Sequence, residues 1–273
     1  MLLYTLVVNA IPSISERLSR LWEAVLSLKT EMKNEIYTDW DTLYQRLDFL
    51  VEREWINSIE SVIPGWKKIA TQNNGLTAKH TILVLACSMN LPEYRGASSQ
   101  TQREIEWAAL FHDLDKDVLY GRGDGAHGIR SAAAAAKCLV SLGFDFQANV
   151  DFDAWLNLLM SAQVQVDGKW VNDFSHLADI TSGLRYFFGT NTPAERIIKA
   201  VMFHQSLPTL DDWPNPVILS DDQIRATLTI TNIDVLGPLM LGDSDAWNVC
   251  WSMRDDYMAE LRRNIAKVRK VIG

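Results

Sequence analysis

The chain has 273 residues, 26 Lys and Arg against 34 Asp and Glu, a formal net charge of −8 and a sequence pI of about 5.1. That length accommodates one large domain or a domain with an appendage, and a content of 48% hydrophobic residues with ten Trp provides a substantial core. The acidic balance excludes a broad nucleic-acid surface, although a metal and a few local cations can reverse the potential inside one pocket.

Helical periodicity dominates and β-branched alternation is scarce, which predicts an all-α fold. Residues 1–11 are apolar but lack a basic leader and are too short to span a bilayer, so a short packed strand or helix is expected there. Residues 13–34 read as a helix capped near Ser13, with Ile14, Leu18, Leu21, Trp22, Val25 and Leu28 along one side. A second helix runs from Thr38 to about Ile59 and is punctuated by Pro64-Gly65. This N-terminal third carries Trp22, Trp40, Trp55 and Trp66 but no clustered set of ligand-type residues, so residues 1–75 are taken as a helical extension packed on the rest or as a homodimer surface.

After Asn73-Asn74-Gly75 comes a helix carrying His80, then a loop over 91–100 and a helix from Gln102 to about Leu119 carrying His112-Asp113. A glycine-rich loop from Gly121 leads into an alanine helix capped at Gly143. Residues 153–163 form another helix, followed by the turn Val166-Asp-Gly-Lys169 and a short hairpin or loop. A helix from Pro193 to Ser206 carries His204, a Pro-rich linker spans Leu207 to Pro216, and a helix from Asp221 to Leu236 is ended by Gly237-Pro238. The last helix, Asp243 to about Ile272, sets Leu261, Ile265, Val268 and Ile272 on one side and five basic residues mostly on the other, a solvated face. No segment offers a membrane span, and three scattered cysteines without C-x-x-C spacing suit a reduced, cytoplasmic protein.

The chemistry concentrates at His112-Asp113, set in the apolar stretch Trp107 to Lys116. Burying an imidazole beside a carboxylate is costly unless a partner neutralises them, and a divalent metal is such a partner. His80, His204 and Asp234 lie in similar apolar helical surroundings and are further candidate ligands. The run Gly121 to Ser131 brings His127, Arg130 and Ser131 to one side of a helix start, where free N–H groups and a guanidinium suit a phosphate. His176 fits no such role.

The order H…HD…H…H…D resembles that of the HD-domain superfamily of metal-dependent phosphohydrolases, over roughly residues 76–240. The resemblance implies an HD-domain-like helical bundle, with residues 241–273 as an amphipathic helix packed on it. It implies His80, His112, Asp113 and Asp234 on the metal. The run His112-Asp-Leu-Asp-Lys116 is similar to the family's H-D-[I/L]-G-K form, which implies that Lys116 approaches the substrate phosphate; Asp115 stands where the family has glycine. Asp117 matches a second acidic position of alarmone hydrolases, but Lys116 replaces their Glu, so neither that subgroup nor the cyclic-dinucleotide hydrolases is assigned. Small HD hydrolases also line their pocket with an H-x-x-x-S-A element like the one starting at His127.

These implications frame the expected activity, cleavage of a phosphoester or phosphoanhydride of a nucleotide or another small phosphorylated metabolite, with no membrane partner. Lys116 and Arg130 contact the phosphate, Asp117 or His127 serves as base, and His204 positions water or substrate. The metal is Mn, Fe, Zn, Co, Ni or Mg. His127 and His204 either extend the site to two metals bridged by Asp113 or leave it with one, and the short loop before His127 favours one. Two rival readings share the fold: an HD-like di-iron oxygenase cleaving a C–C or C–P bond, and a non-catalytic sensor or binding module.

Overall fold

Ser13 starts the described chain's first helix by accepting from the Glu16 N–H while Glu16 reaches back to the Ser13 N–H, a reciprocal cap that satisfies two otherwise unpaired donors. The computed structural model describes residues 11–117, 124–147, 151–207 and 218–273; the expectations for residues 1–10, for Gly121 to Gly123 and for most of the Pro-rich linker lie outside them. The fold is all-α, with one two-stranded hairpin among the described residues.

The helices are α1 (Ile14–Arg17), α2 (Ser19–Lys33), α3 (Trp40–Gln45), α4 (Arg53–Glu60), α5 (Trp66–Thr71), α6 (Leu76–Asn90), α7 (Pro92–Arg95), α8 (Ser99–Phe111) and α9 (His127–Ser141). The chain continues through α10 (Phe152–Met160), α11 (Leu177–Phe188), α12 (Pro193–Phe203), α13 (Asp221–Thr227), α14 (Ile230–Asn248) and α15 (Arg254–Ile272). Strands β1 (Gln163–Val166) and β2 (Lys169–Asn172) pair antiparallel through a turn in which Asp167 and Gly168 both take positive φ, as a two-residue hairpin of this twist requires.

Several boundaries differ from the sequence expectation. The helix expected over 13–34 breaks at Leu18, and the one over 38–59 is divided into α3, a 3₁₀ turn at Asp48–Val51 and α4. The helix expected from Gln102 to about Leu119 ends at Phe111, so His112 caps it and Asp113 lies in the turn that follows. The largest difference is at Gly237-Pro238, which does not end a helix: α14 continues through it for ten more residues, across the domain boundary expected at 240–241. A proline inside a helix lacks one N–H and crowds the preceding turn, at a cost of about 3 kcal/mol. Packing offsets that cost, because α14 is buried against α6, α8, α12 and α15.

The core formed by these helices is continuous from Ile11 to Val268. Its tightest approach joins α6 to α14. A Cβ built on Gly242 would lie 1.9 Å from Ser88 Oγ and 3.0 Å from the Val84 carbonyl, so only glycine admits the contact. A second close approach joins the start of α9 to the end of α12, where a Cβ on Gly128 would lie 3.0 Å from the Met202 carbonyl and 3.2 Å from that of Val201. Buried ion pairs fasten the frame: Glu104 holds Arg196 through both carboxylate oxygens, and the Lys199 ammonium bonds Glu195 and the Thr227 carbonyl.

In the N-terminal part, Glu31 accepts from Arg46, Tyr37 and Ser27. Burial opposes ionisation of this carboxyl, but those donors lower its pKa to about 2.

Two outcomes are expected. Gly242→Ala should lower stability by about 1–3 kcal/mol in denaturant unfolding, and adding Ser88→Ala should recover part of the loss; an unchanged midpoint for Gly242→Ala would contradict the close contact. Because the folded-state pKa of Glu31 lies below its usual 4.5, its contribution is present above that pH and is lost as pH falls toward about 2. Glu31→Gln should therefore flatten the stability profile in that acidic window and cost about 1 kcal/mol at neutral pH, a modest figure for a partly exposed pair.

Candidate metal centre

Four elements deliver side chains to one buried point. His80 comes from the first turns of α6, His112 and Asp113 from the end of α8, His127 from the start of α9 and His204 from the end of α12. All five are essentially inaccessible. A sixth group, Asp243 from α14, joins them with its carboxylate 2.9 Å from His80 Nε2 and 4.0 Å from His112 Nε2.

The donors form two overlapping groups of metal-binding spacing: His80, His112 and Asp113, and Asp113, His127 and His204. Asp113 belongs to both. Its Oδ2 lies 3.6 Å from His112 Nε2 and 3.9 Å from His80 Nε2, while its Oδ1 lies 2.9 Å from His127 Nε2. These residues could hold a metal ion.

The ring orientations follow from the backbone. The Nδ1 atoms of His112, His127 and His204 each lie 2.6–2.7 Å from a carbonyl three residues earlier, those of Ala109, Asp124 and Val201. A carbonyl only accepts, so each Nδ1 carries a proton, and in the neutral ring each Nε2 presents a lone pair. His127 Nε2 and His204 Nε2 then face each other at 3.2 Å. Among the described residues, His112 Nε2 and Asp113 Oδ1 are buried without a hydrogen-bond partner. Converging lone pairs and a carboxylate repel unless a proton or a cation lies between them. Burial, with His127 and His112 nearby, pushes His204 down to about 3, and burial also depresses His112, so neither of these two rings supplies a proton near neutral pH. A metal cation satisfies the same atoms, and this donor set fits one.

One cation already touches the cluster. The Lys116 ammonium lies 2.7 Å from Asp113 Oδ2. Burial alone would depress it, but Asp113 and Asp243 hold its pKa above the usual lysine value. Burial would likewise raise the Asp113 carboxyl, and Lys116 beside it holds it well below the carboxylate range.

The remaining expected site residues are placed differently. Asp234 is not in the cluster: it is nearly half exposed, pairs with Arg269 at 2.7 Å and lines a surface groove with Pro238 and Arg262. Asp243, nine residues on, takes the place expected for it. The assumed helix end at Gly237-Pro238 hid this residue, although two aspartates in the apolar run Leu236 to Trp247 were a visible signal.

Arg130 is a strut. Its guanidinium bonds Asp124 Oδ2 at 2.5 Å, Gln163 Oε1 at 2.9 Å and the Asp115 carbonyl at 3.3 Å, which joins the loop before α9 to the hairpin and to the turn after Asp113. These bonds engage all three of its nitrogens and tie the side chain to the protein itself. Asp117 donates its backbone N–H to Asp124 and belongs to neither donor group. Ser131 accepts from the Asp115 N–H. His176 is on the surface near Asp179.

Asp245, two residues past Asp243, holds Arg254 through both carboxylate oxygens and so fixes the end of α14 against the start of α15. Trp247, one turn past Asp243, stacks on His80 with ring centroids 4.3 Å apart.

Searches against protein-family models, curated proteins and solved structures found no match to the chain.

Asp243→Asn should remove most of the tightly bound divalent metal measured by elemental analysis, whereas Asp234→Asn should retain it. Retention of full metal content by Asp243→Asn would exclude Asp243 from the ligand set.

Proposed function

We propose that the chain is an HD-type metal-dependent phosphohydrolase acting on a small phosphorylated substrate, with a two-metal centre shared through Asp113. The observation that carries this reading is the convergence of imidazole Nε2 atoms on the two oxygens of one buried carboxylate, with the Lys116 ammonium against the same group. The motif His112-Asp-Leu-Asp-Lys116 and the order of the histidines support the same family.

His80, His112, Asp113 and Asp243 would hold one ion, and Asp113, His127 and His204 the other. Divalent ions bound there supply Lewis-acid polarisation of a phosphoryl oxygen and acidify water. The chain's own contribution is orientation and charge. Carbonyls of Ala109, Asp124 and Val201 fix three imidazole tautomers, and the stacked indole of Trp247 fixes the plane of His80. Lys116 retains some solvent exposure and a flexible stem, so its ammonium can transfer from Asp113 to a phosphoryl oxygen and stabilise the charge developing there.

The same inventory of four histidines and two aspartates favours a second reading, an HD-like di-iron oxygenase, since members of that type hold two irons with this set.

A panel of phosphate esters and anhydrides with added Mn should reveal phosphate release that chelation abolishes. Lys116→Ala should lower turnover of the best substrate roughly a hundredfold while keeping the metal. Oxygen consumption by the iron-loaded protein, with no phosphate release from any panel member, would replace the hydrolase reading with the oxygenase.

A further inference from the structure

The turn that presents Asp113 and Lys116 is tied down from two sides. On the α9 side, the Asp115 N–H donates to Ser131 Oγ at 3.1 Å and the Asp115 carbonyl accepts from Arg130 Nε at 3.3 Å. On the other side stands α5, none of whose residues belongs to either donor group. The Lys68 ammonium of α5 donates to the Asp115 carboxylate. Gly65, just before α5, lies against the same turn: a Cβ built on it would be 3.5 Å from Leu114 Cγ and 3.9 Å from the Leu114 carbonyl oxygen. Glu60 accepts from the N–H groups of Gly65 and Lys67 at 3.1 and 2.6 Å, which fixes the start of α5. The N–H, the carbonyl and the carboxylate of Asp115 are thus each held by a different residue, two from α9 and one from α5.

We infer that Lys68 is a positioning residue for the metal centre, acting through Asp115 on the turn that presents Asp113 and Lys116. The inference rests on the proposed metal centre and is independent of whether that centre hydrolyses phosphate or uses oxygen. Asp113 belongs to both donor groups, so a shift of its turn disturbs both at once. Lys116 moves with it, because its N–H donates to the Asp113 carbonyl at 3.0 Å and its ammonium to the Asp113 carboxylate at 2.7 Å. The ties from Ser131 and Arg130 belong to the helix that carries His127 and follow any motion of that helix, whereas the Lys68 tie comes from outside it. The side chains of Lys68 and Asp115 are 37% and 32% exposed, so water screens the pair and its share of global stability is small. What the pair sets is the place of the turn. Residues of the N-terminal third thereby take part in the site without touching it.

The test follows Mn binding to the full-length, metal-free protein by titration calorimetry, which reads the site without turnover. Removing Lys68 alone would leave the Asp115 carboxylate unpaired, and its charge would attract cations and mask a loss of geometry. The decisive variant is therefore the double replacement Lys68→Met with Asp115→Asn, which cuts the tie at unchanged net charge. It should bind Mn about tenfold more weakly than wild type, the lower end of the loss expected when a group that supports metal ligands is removed. Lys68→Arg, which keeps the charge and reaches the same carboxylate, should bind as wild type does. The thermal midpoint of the metal-free double variant should stay near that of wild type, as the exposure of the pair requires. Wild-type affinity in the double variant would overturn the positioning role, as would a loss of affinity matched by a fall in the metal-free midpoint. Wild-type protein that takes up no Mn would overturn the metal centre and the inference with it. Normal Mn binding without phosphate release, with the tenfold loss still seen in the double variant, would remove the hydrolase reading and support the role of Lys68.

Discussion

Four imidazoles and one carboxylate are buried at one point, with the carboxylate of Asp243 at its partly exposed edge. Three of the rings spend their Nδ1 protons on backbone carbonyls, so their second nitrogens meet as lone pairs, two of them 3.2 Å apart. Proteins rarely leave buried polar atoms unpaired, and repulsion between like lone pairs adds to the usual desolvation cost. The arrangement therefore demands positive charge. Lys116 supplies some of it at Asp113 Oδ2.

The helical frame exists to impose that convergence. Two close approaches between helices set the positions of the donors, and each depends on a missing Cβ. Gly242 lets α14 settle against Ser88 and Val84 of α6, which brings Asp243 to His80. Gly128 lets α9 meet the end of α12, which brings His127 to His204. Asp124 and Arg130 then brace the loop before α9, and Asp245 with Arg254 braces the far end of α14. Charged groups adjacent to the cluster thus hold the geometry and are not themselves donors.

The sequence showed the parts of this arrangement that are local and hid those that are tertiary. An all-α fold was legible because apolar spacing is a property of each helix alone. His80, His112, Asp113 and His204 were legible as candidates because polar groups stand out in apolar runs, and His127 because it follows a glycine-rich loop at a helix start. Asp243 was not, because Gly237-Pro238 looks like a helix end, and only burial of α14 on several sides carries the helix through it. Arg130 looked like a phosphate ligand because a guanidinium at a helix start suits an anion, but its partners Asp124 and Gln163 are six and 33 residues away along the chain. The placement of His127 at Asp113 Oδ1 and of His80 and His112 toward Oδ2 depends on helix packing that no spacing encodes.

Anomalous X-ray diffraction from crystals of the Mn-loaded protein tests the central claim most directly, since it locates each ion independently of any activity. The account predicts two peaks roughly 3.5–4 Å apart, one between His80, His112 and Asp243 and the other between His127 and His204, with Asp113 bridging them. A single peak, or peaks remote from Asp113, would contradict a shared two-metal centre.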